Sequence, residues 1–137
     1  MEKRDWNYFG LFLGQLTKDR LRKFLIESEY GELFQNAERE YIDHCTLLHI
    51  SRINEGIKIF CERNIGERFV IEINSIGISD KTMAFGVKLH NIPCNNSMPH
   101  ITICTFKGGK PVDSNKIIDW HKLDKPFLVS VTLKASK

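Results

Sequence analysis

Apolar and polar positions along the chain change period several times, and each change marks an element. Residues 7–13 are almost all aromatic or aliphatic, bounded by charge on one side and Gly14 on the other, which predicts a buried strand. Thr17 then precedes a segment in which Leu21, Phe24 and Leu25 share a helical face. It predicts a helix capped by Thr17 and closed at Tyr30 and Gly31. Residues 32–43 are polar and carry no clear period. Residues 43–50 predict a short strand, and Ile53, Ile57, Phe60 and Cys61 predict a helix over 53–63 that stops near Asn64 and Gly66. Residues 68–78 and 82–90 read as a hairpin around a turn at 79–81. In its second arm Met83, Phe85, Val87 and Leu89 face one way, and Thr82, Ala84, Gly86 and Lys88 the other. Residues 91–99 read as loop, and 100–106 as strand. Residues 107–126 read as loop with one helical turn around 114–120, and 127–135 as a closing strand. Strands outnumber helices and no linker interrupts them, so the expectation is a single α+β domain over residues 1–137.

A chain of 137 residues buries enough surface to fold without a metal or disulfide staple. It is too short for a dinucleotide-binding fold plus a substrate domain, or for an eight-unit βα barrel. Twenty Lys and Arg against 17 Asp and Glu leave a charge of +3, which permits a phosphate-bearing partner without demanding one. The cysteines (Cys45, Cys61, Cys94 and Cys104) form no C-x-x-C pair, so neither a zinc knuckle nor a thioredoxin-like motif is expected. The charged start at Met1 does not resemble a signal peptide, and no apolar run approaches the ~18–20 residues of a membrane span. The expectation is free thiols in the cytosol, with the nucleus as the second choice, no membrane partner, and a monomer.

The chemistry concentrates at two of the five histidines. His44-Cys45-Thr46-Leu47-Leu48 and His100-Ile101-Thr102-Ile103-Cys104 share the form His-x-Thr followed by apolar residues. Each follows a polar stretch and opens a predicted strand. With six Thr among 137 residues, about 4% of histidines should have Thr two places on, so two of five is about a 2% coincidence. Side chains at i and i+2 of a strand share a face. His44 therefore projects with Thr46, and His100 with Thr102, while Cys45, Leu47, Ile101 and Ile103 back them. If the two strands are neighbours, two imidazoles and two hydroxyls converge on one groove. One imidazole can act as base and the other, protonated, as acid, while the hydroxyls donate to anionic oxygens. That set suits a phosphodiester and calls for no metal or other cofactor.

The duplicated His-x-Thr resembles the two-histidine (2H) phosphoesterase superfamily. The early strand and helix, the spacing between motifs and the stretch 109–115 resemble the branch that contains the cyclic-nucleotide phosphodiesterase of myelin and the phosphodiesterase domain of fungal and plant tRNA ligases. The resemblance implies a two-lobed α+β fold, with antiparallel sheets lining a central groove and helices outside. It implies a phosphoric diester hydrolase that opens 2′,3′-cyclic phosphates, at RNA 3′ ends or on small nucleotides, to 2′-phosphates. His44 would be the acid, His100 the base, and Thr46 and Thr102 the phosphate donors, although the near symmetry of the motifs leaves the reverse assignment open. No P-loop or ligase segment accompanies the motifs, so a free-standing module is expected.

Around this set, Phe106 shares the predicted face of His100 and Thr102 and could stack a base. Tyr8, Phe9 and Phe12 could line the groove or pack in the core. Lys107 and Lys110, with Lys116, Lys122 and Lys125, make the C-terminal loops basic and suit a phosphate chain. His49 should face away from His44 and be structural. Cys104, on the face of His100, offers a weak metal reading, and Cys45 would lie behind the groove. Two rival functions use the same residues: a 2′–5′ oligoadenylate or cyclic-oligonucleotide phosphodiesterase, and an RNA-binding module without turnover.

Overall fold

The computed structural model describes residues 6–137. Its elements in order are β1 (Tyr8–Leu13), α1 (Gln15–Glu27), α2 (Gly31–Gln35), β2 (Arg39–Glu40), β3 (His44–His49), α3 (Glu55–Arg63), β4 (Arg68–Ile78), β5 (Thr82–Lys88), β6 (His100–Thr105) and β7 (Asp119–Ser136), with short 3₁₀ turns at Ile50–Arg52 and Pro111–Lys116. The class is α+β. The seven strands form one antiparallel sheet in the order β2-β6-β3-β1-β7-β4-β5, and β5 also pairs with β6, which closes the sheet on itself. Where separate sheets in two lobes were expected, closure joins all the strands into a single sheet. It also leaves few open strand edges.

Leu11, Cys45, Ile71, Ile73, Phe85, Ile101, Ile103 and Leu133 are fully buried on one face of this sheet. Leu21 and Leu25 of α1 and Ile57 and Cys61 of α3 join the same apolar cluster. Asn54 caps α3, its side-chain oxygen accepting from Ile57 N at 3.1 Å. α1 starts two residues before the expected cap. Gly14 is extended and Lys18 N donates to Gly14 O, so the helix leaves β1 directly and Thr17 lies inside it. The helix ends at Ser28, whose hydroxyl donates to Leu25 O. α2 follows, and at Gly31 a Cβ would collide with the carbonyl of Ile26. The patternless stretch 32–43 thus holds the rest of α2 and the two-residue strand β2.

The largest difference from expectation is near the C-terminus. Residues 119–126 are strand, not loop, and the helical turn falls at 111–116. β7 continues past a disruption in its pairing with β4, where Ile73 faces Phe127 but Ser75 faces Lys122. The extra residues on the β7 side form a bulge, which hides the period of the strand. Trp120 and Ile117 then cover the small-residue face of β4 and β5. A Cβ on Gly77 would come within 2.6 Å of the Trp120 ring and 2.7 Å of Ile117, and a Cβ on Gly86 would strike Ser75 Oγ. β5 is consequently buried on both faces although only one is strongly apolar.

Candidate active site

β3 and β6 are antiparallel neighbours with Cys45 opposite Ile101. Carried one step each way, that register sets His44 opposite Thr102 and Thr46 opposite His100. The four side chains form a square on one face, with the imidazoles on one diagonal and the hydroxyls on the other. Directly opposed residues in such a pair have Cβ atoms about 5 Å apart and diagonal ones roughly 7–8 Å. Cys45 and Ile101, at the centre of the pairing, are fully buried on the opposite face.

The square has a wall on each side. On the β1 side Gly10 lies opposite Thr46 and Phe12 opposite His44. Gly10 leaves space that the His44 and Phe12 rings approach, since a Cβ there would lie 3.4 Å from each. The Tyr8 and Phe12 rings stack on His44 at centroid separations of 4.7 and 5.1 Å. Tyr8 is therefore a groove residue, whereas Phe9 is buried in the core. On the other side Ala84 lies opposite Thr102 and Gly86 opposite His100. Above them runs the 111–116 turn, whose buried Ser114 places its hydroxyl 3.0 Å from that of Thr102.

Each imidazole is held through Nδ1. His44 Nδ1 donates to Asp43 Oδ2 at 3.1 Å, and Asp43 Oδ1 accepts from Lys18 Nζ at 2.7 Å. His100 Nδ1 donates to the carbonyl of Met98 at 2.8 Å. Both acceptors lack hydrogens, so Nδ1 carries the proton and Nε2 is the nitrogen left for chemistry. Burial pushes the His44 pKa below its ordinary value, and Asp43 offsets only part of that. Burial also lowers His100, partly opposed by the Met98 carbonyl and reinforced by the charge of His44. For Asp43, burial favours the neutral acid, but hydrogen bonds from Lys18 and His44 outweigh it and hold the carboxyl below its ordinary value.

The loop 91–99 ties these parts together. Asn95 N donates to Leu47 O, Cys94 Sγ lies 3.4 Å from Thr46 O, and Asn96 Nδ2 donates to Asn115 Oδ1 at 2.9 Å. Asn96 Oδ1 accepts from Met98 N at 3.2 Å, which braces the carbonyl that holds His100.

Three expected placements are corrected, all by slips in strand register. β1 and β3 slip so that Phe9 faces Leu48 but Gly10 faces Thr46, leaving Leu47 as the extra residue. Leu47 and Leu48 are both buried, and the alternation reverses beyond them. His49 therefore returns to the groove side, with its ring 6.5 Å from Tyr8 at an interplanar angle of 8°. A second slip at Ile103 buries Cys104 completely. Phe106 packs against the core cluster instead of sharing the face of His100. The stacking role expected of Phe106 and the metal role weighed for Cys104 both lose their geometry. Lys107 is exposed, and Lys110 lines a cavity beside the 111–116 turn.

Sequence reasoning missed Asp43 and Ser114. Asp43 adjoins His44, which on a regular strand would send it to the opposite face. Ile42 has φ 44°, a left-handed conformation that costs a β-branched residue about 1–3 kcal/mol. It turns the chain so that Asp43 reaches the ring. The doublets Leu47-Leu48 and Ile103-Cys104 were the available signs of the two slips. Nothing local marks Ser114.

The two His-x-Thr motifs thus lie on neighbouring strands, in keeping with the resemblance to the 2H phosphoesterases. The model of the fungal tRNA ligase phosphodiesterase domain matches residues 28–127, and the chain belongs to that family. Among solved structures, the crystal structure of a fungal RNA kinase superposes with a TM-score of 0.71 at 16% identity, covering 100% of this chain and 47% of that one. At that identity the likeness is one of fold, and this chain spans about half of its relative. No curated protein sequence matches the chain.

Proposed function

We propose that the chain hydrolyses 2′,3′-cyclic phosphates at RNA 3′ ends to 2′-phosphates, without a metal. The observation that carries this reading is the square of His44, Thr46, Thr102 and His100 on one face of β3 and β6, in a chain of the phosphodiesterase family. Nε2 of neutral His100 removes a proton from water as the water oxygen bonds to phosphorus. The bond from phosphorus to O3′ breaks, and Nε2–H of His44 protonates the departing oxygen. The Thr46 and Thr102 hydroxyls donate to the two non-bridging oxygens. The unequal supports of the rings favour this assignment. His44 rests on a carboxylate, which stabilises the imidazolium that an acid must be, while His100 rests on a neutral carbonyl.

The solved relative is titled an RNA kinase. The present chain contains no G-x-x-x-x-G-K-[ST] phosphate loop, so that activity is not carried over. The test is a panel of nucleoside 2′,3′-cyclic phosphates, RNA ending in a cyclic phosphate, 2′–5′ oligoadenylate and cyclic dinucleotides, with products resolved as 2′- or 3′-phosphates. Turnover of cyclic ends to 2′-phosphate is expected. His44→Ala and His100→Ala should lower kcat by about 10²–10⁴-fold with unchanged circular dichroism. Turnover confined to 2′–5′ or cyclic oligonucleotides would reassign the substrate. Binding with no turnover of any panel member would leave an RNA-binding module.

A further inference from the structure

Positive charge gathers at one place outside the square. The turn between β4 and β5 meets the segment after β6 around an open cavity of about 450 Å³. Lys81, Lys110 and Lys116 line it together with Ser79, Asp80 and Asp113. Its backbone is closely fitted. Phe106 N donates to Lys81 O at 2.9 Å, and Ser79 Oγ accepts from Lys81 N at 3.1 Å. Gly108 has φ 80°, and a Cβ on it would lie 3.2 Å from Lys81 Nζ. A Cβ on Gly109 would run into the Lys81 carbonyl. These contacts bring the Lys81 ammonium against the chain that carries Lys110.

The carboxylate of Asp113 is already engaged, accepting from Lys110 N at 2.9 Å and lying 3.9 Å from Lys116 Nζ. Among the described residues the ammonium groups of Lys81 and Lys110 form no salt bridge. Three ammonium groups against two carboxylates leave one net positive charge, the complement of a single phosphodiester. The cavity is coupled to the square by the 111–116 turn. Ser114, between Asp113 and Lys116, is the residue bonded to Thr102. At about 2 Å of rise per residue in a 3₁₀ turn, Lys110 and Lys116 lie within roughly 10 Å of Ser114. One or two nucleotides span that distance.

We infer that this cavity holds an internucleotide phosphate of an RNA chain whose 3′ end lies on the His–Thr square, so that the preferred substrate is an oligonucleotide rather than a mononucleotide. The inference rests on the function proposed above and names the part of the substrate that the square does not reach. A phosphate at this point contributes affinity by releasing counterions, with little regard to base identity.

The test is direct binding of RNAs of one to five nucleotides ending in a 2′-phosphate, at several salt concentrations, to the intact chain and to Lys81→Gln/Lys116→Gln. Both lysines are exposed, so the double variant should keep the fold, and circular dichroism checks this. The expected result is a gain of at least tenfold in affinity between one and three nucleotides. In the variant that gain should be lost and the salt slope should be shallower by about one. Lys58→Gln/Lys88→Gln, which removes the same charge elsewhere, should keep the gain. Affinity independent of length, an equal loss in the control variant, or competition by inorganic phosphate as strong as that by the trinucleotide would overturn the subsite. These ligands are products, so the series reads the subsite without turnover, while the proposed hydrolysis stands or falls on the substrate panel.

Discussion

Replacing Asp43 by Asn tests the acid–base assignment more sharply than removing either histidine. The amide of Asp43→Asn keeps the shape and can still accept from His44 Nδ1, but the charge beside the ring is gone. The lost attraction can be bounded. Two unit charges about 4 Å apart interact by about 1 kcal/mol in water and about 4 kcal/mol at an effective dielectric constant of 20. Asp43 is 40% exposed and shared with Lys18, so the low end applies. A loss of about 1.4 kcal/mol would lower the His44 pKa by about one unit. Both imidazoles already titrate below the ordinary histidine value, so both are mostly neutral at pH 7.5. If His44 is the acid, its active protonated fraction falls about tenfold. A lower pKa also makes the remaining acid stronger, so the net loss in kcat/KM at pH 7.5 is about three- to tenfold. If His44 were the base, its neutral fraction at that pH would be unchanged, the weaker base would cost about threefold, and the acidic limb of the profile would move to lower pH. The assay is kcat/KM against pH for a nucleoside cyclic phosphate, beside an NMR titration of the His44 ring. A ring that titrates lower together with an acidic limb displaced to lower pH and an unmoved basic limb reverses the assignment. A ring that titrates unchanged refutes the coupling itself.

Ser114→Ala leaves the Thr102 hydroxyl without its partner. The loss of one such buried hydrogen bond, about 0.5–1.5 kcal/mol, should lower the melting temperature by a few degrees, and kcat should fall severalfold because the Thr102 hydroxyl loses its fixed orientation. Gly77→Ala drives a methyl group against the Trp120 ring at 2.6 Å. Overpacking of about 1–3 kcal/mol should lower the melting temperature by several degrees and shift tryptophan fluorescence. Because His44 and His100 titrate lower in the folded chain, the native state binds fewer protons than the unfolded chain as pH falls below about 6.5. Thermal melts should show stability fully present above that pH and declining as pH falls through the folded-state values. Asp43 adds a second decline in the acidic carboxylate range. Chelators should leave the cyclic phosphodiesterase rate unchanged, and a loss reversed by zinc would require a different mechanism.

The i, i+2 spacing of each His-x-Thr pair, and the apolar residues behind it, were enough to place the four candidate side chains on strand faces. Alternation in a strand is a local property of the backbone, so it can be read wherever the strand is regular. The hairpin of β4 and β5 and the helix α3 were readable for the same reason, since period and caps are local. Errors arose where register slipped. His49 and Phe106 lie beyond a buried doublet that reverses the alternation, Cys104 is the second member of one, and a slip is fixed by the partner strand. The strand character of 119–126 was hidden because those residues pair across a bulge and bury few of their own side chains. Asp43 and Ser114 reach the site through a left-handed residue and a turn from a distant part of the chain. The chemistry proposed for the groove was thus legible in two short motifs. Its walls, the supports of its imidazoles and the cation cluster beside it depend on which strands become neighbours, and that is decided by closure of the sheet over the whole chain.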